Sequence, residues 1–292
     1  MNKVINIHLG EDSILTDFSG FRQFLKFYET CRKYTDTVIS IKLDDVRWID
    51  GNLCAFWGAL LYRLEKENGL TFSIDAKQVS DKCGVLFHNN FIQMDQNVDQ
   101  YHKQSCIPFQ GFFPKQKDEF MNYLENELLI HSSMPKFPEE TKDKLIDDLI
   151  EVYANIDKHA ETGDPFFVCG QHYRQQGKVH FTICDLGVGF YKKIKGRQPE
   201  KINSDGDAIL WAIEGNSTKP DAPGGSGLKN LHEYFDKNNG GIQIYTGEAG
   251  WCSKTMKLGS IYPNGVTNLR NTFSGSIINL EFNKKSLNSV KF

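Results

Sequence analysis

The sequence lacks several features that would assign the chain to a particular class of protein. Nowhere do about 18 consecutive apolar residues occur, so we expect no segment that spans a membrane. The N-terminal stretch MNKVINIHLGEDS has no apolar run typical of a signal peptide. A net charge of −3 offers no general attraction to nucleic acid or to an anionic membrane surface.

Cysteine is present, but its spacing does not suit a disulfide framework or a zinc site. The chain has seven cysteines, an odd number, and no two of them form a CxxC pair. Such a pattern favours free thiols in a reducing compartment. We therefore predict a cytoplasmic protein with no nucleic-acid partner and no membrane association.

The first hundred residues alternate between strand-like and helix-like segments. Apolar and polar side chains alternate in KVINIHL, TVISIKL and LTFSIDA, which predicts three strands. Helical spacing occurs in FRQFLKFYETCRKY and in NLCAFWGALLYRLEKENG, and Gly69 closes the second of these helices. This order predicts a small α/β domain over residues 1–100, with a parallel or mixed sheet.

A break in the pattern follows the first hundred residues. The stretch QSCIPFQGFFPKQ contains two prolines and a glycine, so we predict a linker over residues 101–115 and a second domain over residues 116–292. That domain begins with a helix from about Gln116 to Ile130, which carries an apolar stripe of Phe120, Leu124 and Leu128. The stripe suits either a contact with a second copy in a homodimer or a cover for the chain's own sheet.

The remainder of the second domain predicts helices and strands in irregular order. A helix is expected from about Pro138 to His159, and two antiparallel strands flank QQGK. Two further helices are predicted at DAILWAIEG and LKNLHEYFDKN, and three further strands at GIQIYTG, TMKLGSIY and GSIINLEF. The pattern predicts an α+β two-layer sandwich of one sheet and one helical layer.

Polar residues with chemical uses occur in three segments of the second domain. Glu151, Asn155 and His159 recur at intervals of four, so they share one helical stripe. The other side of the same helix carries an apolar stripe that should face the core, formed by Leu145, Leu149, Val152 and Ile156. Asp185 in DLGVGF follows a predicted strand, where its carboxylate can accept a hydrogen bond from an exocyclic amine. The glycines of GGSGLKNL, residues 224–231, lead into a helix whose first backbone N–H groups can bind phosphate.

Each of these groups has a place in the binding of Mg·ATP. Gly187 and Gly189 let the backbone approach a flat ring or adopt positive φ. Asn155 offers a neutral oxygen of the kind that Mg²⁺ prefers. Glu151 is placed to hold a water molecule as a general base. Taken singly, the three segments are also typical of a solvated helix face, a turn after a strand and a flexible loop, but their order favours nucleotide binding.

The segments EVYANIDKH, DLGVGF and GGSGL resemble the three nucleotide-binding boxes of the GHKL ATPases, which include gyrase, heat-shock chaperones, histidine kinases and MutL. The resemblance is nearest to the anti-sigma-factor serine kinases. It implies a Bergerat ATP-binding fold for residues 116–292, with ATP and Mg²⁺ as cofactors.

The resemblance also implies a role for individual residues. Asp185 would bind the adenine amine, Asn155 would bind Mg²⁺, and Glu151 would be the catalytic base. Lys219, where the mobile lid of the family begins, would approach the γ-phosphate, although an ordinary exposed lysine is the alternative. The complete set of implied nucleotide-binding residues is Asn155, Lys158, His159, Asp185, Gly187, Gly189, Thr218, Lys219, Gly225, Gly227, Leu228 and Ser276.

The N-terminal segment TVISIKLDDVRWIDGNLCAFWGALLYRL is similar to the STAS fold of anti-sigma-factor antagonists. Those proteins carry a phosphorylated serine in an Asp-Ser-Ser turn. Here the turn reads Asp50-Gly51-Asn52 and has no hydroxyl. The resemblance therefore implies a docking or regulatory domain and not a kinase substrate.

Two functions follow from the resemblance and remain open. The first is a regulatory switch in which ATP binding and hydrolysis change the contacts with a protein partner. The alternative is a serine/threonine kinase of the anti-sigma type that phosphorylates a separate protein. A self-phosphorylating histidine kinase is not expected, because His131 lacks an acidic neighbour and His232 follows the third motif.

Overall fold

A computed structural model describes residues 3–93, 105–132, 134–159, 162–196, 200, 202–216, 226–253 and 265–284, and of residues 157–159 the backbone only. The part described has a mixed α and β architecture, in agreement with the predicted class. None of its helices combines the length with the apolar character that crossing a membrane requires.

The N-terminal unit contains two small parallel sheets. The larger has the strand order β1–β3–β5, formed by β1 (Val4–His8), β3 (Val38–Lys42) and β5 (Thr71–Ile74). The smaller pairs β2 (Asp12–Ile14) with β4 (Val46–Ile49). The helices of this unit are α1 (Phe18–Cys31), α2 (Cys54–Asn68), α3 (Ala76–Lys82) and α4 (Val85–His88).

The two long helices of this unit begin and end as local chemistry dictates. Asp17 caps α1 by accepting a hydrogen bond from the Gly20 amide at 2.8 Å. Gly69 ends α2 in the left-handed conformation with φ of 64°, and its amide donates to the carbonyl of Glu65. The prediction that Gly69 closes this helix is confirmed.

The C-terminal unit is built on a five-stranded antiparallel sheet with the order β6–β7–β8–β10–β9. Its strands are β6 (Cys106–Phe112), β7 (Phe166–Tyr173), β8 (Lys178–Asp185), β9 (Gly241–Cys252) and β10 (Val266–Asn283). The predicted hairpin is the pair β7–β8. The helices are α5 (Lys117–Tyr123), continued by a π-helical segment (Leu124–Leu129), α6 (Glu139–His159), α7 (Gly189–Lys195), α8 (Asp205–Ile213) and α9 (Gly227–Lys237).

The segment that the sequence predicts as a linker contains strand β6. This strand pairs with β7 at the edge of the sheet, and its register shifts between Ile107 and Gln110. Pro108 lies at this irregularity, and its carbonyl accepts a hydrogen bond from the Tyr123 hydroxyl at 2.6 Å. An edge strand with a bulge tolerates proline, so the prolines and glycine of this segment did not prevent sheet formation.

The apolar stripe of the leading helix covers the chain's own sheet. Phe120, Leu124 and Leu128 are fully buried in one core with residues of α6 and the sheet. The ring centroids of Phe120 and Phe166, on β7, are 5.1 Å apart. The alternative in which this stripe packs against a second copy is therefore wrong, because no part of these three side chains remains available.

The C-terminal sheet is buried on both faces. Helices α5, α6 and α9 cover one face and enclose the core that contains Phe181 and Ile183. Helices α1 and α2 of the N-terminal unit cover the other face, where Phe56 meets Phe273 at 5.1 Å between ring centroids. The two units therefore share a hydrophobic core, although the sequence suggested two separate domains.

Candidate functional site

Helix α6 carries the first group of candidate residues. Its apolar face is buried, as the sequence predicts, through Leu145, Leu149, Val152 and Ile156. Glu151 and Asn155 are half-buried and lie one turn apart. The helical backbone continues to His159, so the stripe of three polar residues lies on one helix, as predicted.

Glu151 lies beside the beginning of α9. A Cβ atom placed on Gly227, the first residue of α9, would lie 2.8 Å from the Cβ of Glu151 and 2.9 Å from its Oε2. Only glycine therefore permits this approach. Since the N-terminal end of a helix bears a partial positive charge, the Glu151 carboxylate lies in a favourable field.

A hydrogen bond holds α6 and α9 together near this approach. The Asn230 side chain donates from Nδ2 to Oδ1 of Asp148 at 2.8 Å. Burial raises the pKa of Asp148, and this hydrogen bond opposes the rise. At the start of α9 the Ser226 side chain makes no capping hydrogen bond, while Leu228 is buried and packs in the core.

Asp185 forms the second group, at the end of β8. Its carboxylate accepts hydrogen bonds from the Gly187 amide, at 2.8 Å, and from the hydroxyl of Ser276. Ser276 lies directly opposite Asp185 in the β8–β10 pairing. Burial raises the pKa of Asp185, while the hydrogen bonds from Ser276 and Gly187 act in the opposite direction.

Residues 185–190, called the Asp185 turn below, connect β8 to α7 in a fixed conformation. Gly189 has a φ of 76°, and a Cβ atom there would lie 2.6 Å from Oγ1 of Thr246. That hydroxyl donates to the carbonyl of Gly275 at 2.8 Å and accepts from the Phe190 amide at 3.2 Å. The Ser274 hydroxyl donates to the carbonyl of Gly187 at 3.1 Å. Glycine at position 189 is therefore required by backbone conformation and by close packing.

The structure thus brings the predicted residues together in two groups. One contains Glu151 and Gly227, and the other contains Asp185, Gly187, Gly189 and Ser276. Some predictions fall outside the described residues. These are Thr218, Lys219, Gly225, the side chains of Lys158 and His159, and the strand TMKLGSIY.

Protein side chains alone do not form a metal site in the described ranges. No group of three or more His, Cys, Asp or Glu residues is close enough there to hold a metal ion. Asn155 can still contribute one oxygen ligand, because Mg²⁺ commonly takes one or two protein ligands and completes its shell with phosphate and water.

Sequence reasoning missed two residues that support the Asp185 turn. One is Thr246, on β9. The other is Arg63, on α2, whose Nη2 donates to the carbonyl of Leu186 at 2.9 Å across a separation of 123 residues. Neither position carries a local signal, because each contact depends on how distant segments pack.

The Asp50-Gly51-Asn52 turn is buried against the C-terminal sheet. Asn52 donates from Nδ2 to Oγ1 of Thr182 at 2.9 Å and to Oδ1 of Asn279 at 3.1 Å. Its Oδ1 accepts from the Tyr173 hydroxyl at 2.9 Å and from the Thr16 hydroxyl at 3.1 Å. All the hydrogen-bonding capacity of this amide is used inside the protein.

A cavity of about 510 Å³ is lined by residues of α7, α8, β9 and β10. Its lining includes Asp205, Glu248, Val266 and Asn268, and none of the predicted site residues. The Asp205 carboxylate accepts a hydrogen bond from the Glu248 amide at 3.0 Å. The cavity therefore adds nothing to the two groups described above.

Comparison with protein-family models, with curated proteins and with solved structures finds no match to this chain.

Proposed function

We propose that the chain is a Mg·ATP-binding regulatory protein of the GHKL type, in which ATP binding and hydrolysis switch its contacts with a protein partner. The observation that carries this proposal is the Asp185 turn. A strand-end carboxylate is held there by Ser276 and the Gly187 amide, beside a glycine with positive φ.

This arrangement suits the recognition of an adenine amine. A carboxylate has about four acceptor positions, and the Ser276 hydroxyl, the Gly187 amide and the Ser276 amide donate to Asp185, so one further donor can be accepted. The hydrogen bonds from Gly187 and Ser276 orient the two carboxylate oxygens of Asp185 before any ligand binds. Because burial disfavours the charged form of Asp185, a donor from the ligand would compensate for lost hydration.

The other group suits the phosphate end of the nucleotide. The first amides of α9 are suitable phosphate ligands, and the Ser226 side chain does not occupy them. Asn155 supplies one oxygen toward Mg²⁺, which in turn would neutralise phosphate charge. Glu151, beside the start of α9, would orient and deprotonate the attacking water or hydroxyl.

The buried turn of the N-terminal unit supports the switch over a kinase acting in cis. Asp50, Gly51 and Asn52 are all buried, and Asn52 is hydrogen-bonded to the sheet. A phosphoryl acceptor at this turn would be inaccessible. A kinase that acts on a separate protein is the second outcome of the test below.

The first test measures ATP affinity by calorimetry in the presence of Mg²⁺. Asp185→Asn should weaken binding by about tenfold or more, because the amide presents a donor to the adenine amine. The exposed Asp118→Asn is the matched control and should bind as wild type does. If wild type shows no binding of ATP at millimolar concentrations, the proposal is wrong.

The second test separates turnover from binding. Glu151→Ala should retain ATP affinity and slow phosphoryl transfer by on the order of 10², since a general base acts only in the transition state. Asp147→Ala removes an exposed carboxylate one turn earlier on α6 and should be nearly neutral. An equal loss of affinity and turnover in Glu151→Ala would place Glu151 in binding instead.

The third test identifies the phosphoryl acceptor. Wild type is incubated with radiolabelled ATP and a lysate of the source cells. Release of phosphate alone supports the switch, whereas label transferred to another protein, and absent with Glu151→Ala, supports the kinase.

A further inference from the structure

Arg63 is a buried cation that connects the N-terminal unit to the Asp185 turn. Its side chain is about nine-tenths buried, and Nη2 donates to the Leu186 carbonyl at 2.9 Å. The guanidinium lies over the ring of Phe273, 5.5 Å from its centroid. Nε lies 3.7 Å from a carboxylate oxygen of Glu67, one turn further along α2.

We infer that Arg63 is a positioning residue for the nucleotide site, through which the N-terminal unit holds the Asp185 turn in the geometry that binds adenine. The inference rests on the proposed function. Arg63 itself would not touch the nucleotide, because it acts on the backbone carbonyl between Asp185 and Gly187.

The surroundings of Arg63 explain how this positioning works. Leu186 follows Asp185 directly, so a shift of its carbonyl moves the carboxylate and the Gly187 amide together. The carboxylate is fixed on one side by Ser276, and Arg63 fixes the turn from the other unit. Phe273 and Glu67 restrain the guanidinium, so its direction of donation is set before a ligand binds.

A second contribution is electrostatic. Arg63 is close enough to Asp185 for its positive charge to favour the ionised carboxylate, against the larger effect of burial. An ionised carboxylate is an acceptor only, which is the form that suits the adenine amine. Guanine presents an oxygen at the corresponding ring position, so the same group disfavours GTP.

The experiment measures the affinities of the full chain for ATP and GTP with Mg²⁺. Arg63→Met keeps an unbranched apolar stem, shorter than that of arginine, and removes the donors and the charge. We expect ATP affinity to fall about tenfold and GTP affinity to change much less, so that the ATP preference narrows. Arg63→Lys keeps the charge and one donor and should recover part of the loss.

The control is Lys66→Met, one turn later on the same helix. Lys66 forms its ion pair with Asp164 and not with a residue of the Asp185 turn, so this variant also removes one positive charge from α2. It should leave both affinities and their ratio unchanged. A general loss of stability would lower both affinities alike and would not narrow the ratio.

Two results would overturn the inference and leave the proposed function intact. In the first, wild type binds ATP and Arg63→Met has the same ATP affinity and the same ratio of ATP to GTP affinity as wild type. In the second, Lys66→Met narrows that ratio as much as Arg63→Met does. Wild type that binds neither nucleotide overturns the proposed function itself. If Arg63→Met does not fold, amide hydrogen exchange of wild type, measured with and without ATP, tests the inference instead. ATP should then protect amides of the Asp185 turn and of α2 around Arg63, and protection confined to the turn contradicts the inference.

Discussion

At the scale of single residues, Asp185 bears its charge where little water reaches it. Only 5% of the residue is exposed, and burial raises the pKa of its carboxyl group. The native state therefore retains this proton to a higher pH than the unfolded chain does. The contribution of Asp185 to the free energy of unfolding therefore decreases as pH rises from about 3.9, its pKa in the unfolded chain, past its higher pKa in the native state.

The corresponding prediction compares wild type with Asp185→Asn, which does not titrate. The free energy of unfolding of wild type, minus that of the variant, should fall as pH is raised from about 3.5 to 7. Urea unfolding at several pH values measures the difference, with Asp118→Asn as the control for loss of one carboxylate. A difference that rises with pH would show that the native state favours the ionised form.

Asn52 is a second residue whose chemistry is confined to the interior. Three of its four hydrogen bonds join the N-terminal unit to strands β7, β8 and β10, and the fourth is with Thr16 of the same unit. Asn52→Ala would leave buried partners without a donor or acceptor, so we expect a loss of about 3 kcal/mol in the free energy of unfolding. The exposed Asn126→Ala should change it by less than about 0.5 kcal/mol. If Asn52→Ala left the free energy of unfolding unchanged, water would have to replace the amide in these hydrogen bonds.

At the scale of elements, the leading helix serves the core of its own chain. Leu124 lies in the π-helical continuation of α5 and is fully buried. Leu124→Ala should lower the free energy of unfolding by about 2–5 kcal/mol and leave the oligomeric state unchanged. The matched control is Ile130→Ala, because Ile130 is 70% exposed and its truncation leaves no cavity.

Denaturant unfolding and light scattering on the same samples check this prediction. If Leu124→Ala altered the oligomeric state at unchanged stability, the stripe would be an interface after all. A large loss of stability in Ile130→Ala would instead show that the end of this helix is covered.

At the scale of the whole molecule, the two units form one packed structure. Phe21, from α1, and Tyr245, from β9, have ring centroids 3.8 Å apart, and both are fully buried. Separation of the units would expose to water the apolar face of the C-terminal sheet that α1 and α2 cover. It would also expose the apolar faces of these two helices.

We therefore predict a single cooperative unfolding transition for the full chain. Urea unfolding followed by far-UV circular dichroism and by tryptophan fluorescence should give coincident curves, since Trp57 and Trp251 lie in different units. A fragment of residues 105–292 should aggregate or remain unfolded. Two separate transitions, or a soluble folded fragment, would show that the units are independent.

The sequence by itself determined those features whose causes are local. The apolar spacing of α6, the cap at Gly69 and the hairpin β7–β8 all follow from periodicity and turn chemistry within short segments. The same local patterns placed Glu151 and Asn155 on one stripe and Asp185 at the end of a strand. The assignment of these residues to ATP binding comes from a resemblance and awaits the tests above.

Only the tertiary structure decided what each buried face meets. Periodicity shows that one side of a helix is apolar, but it does not identify the surface that covers it, which left two alternatives for Leu124. Strand β6 was missed because its proline is tolerated only by virtue of its place at a sheet edge. Arg63 and the Asp185 turn meet across 123 residues, and no local pattern can specify a hydrogen bond that exists only once both units have packed on one sheet.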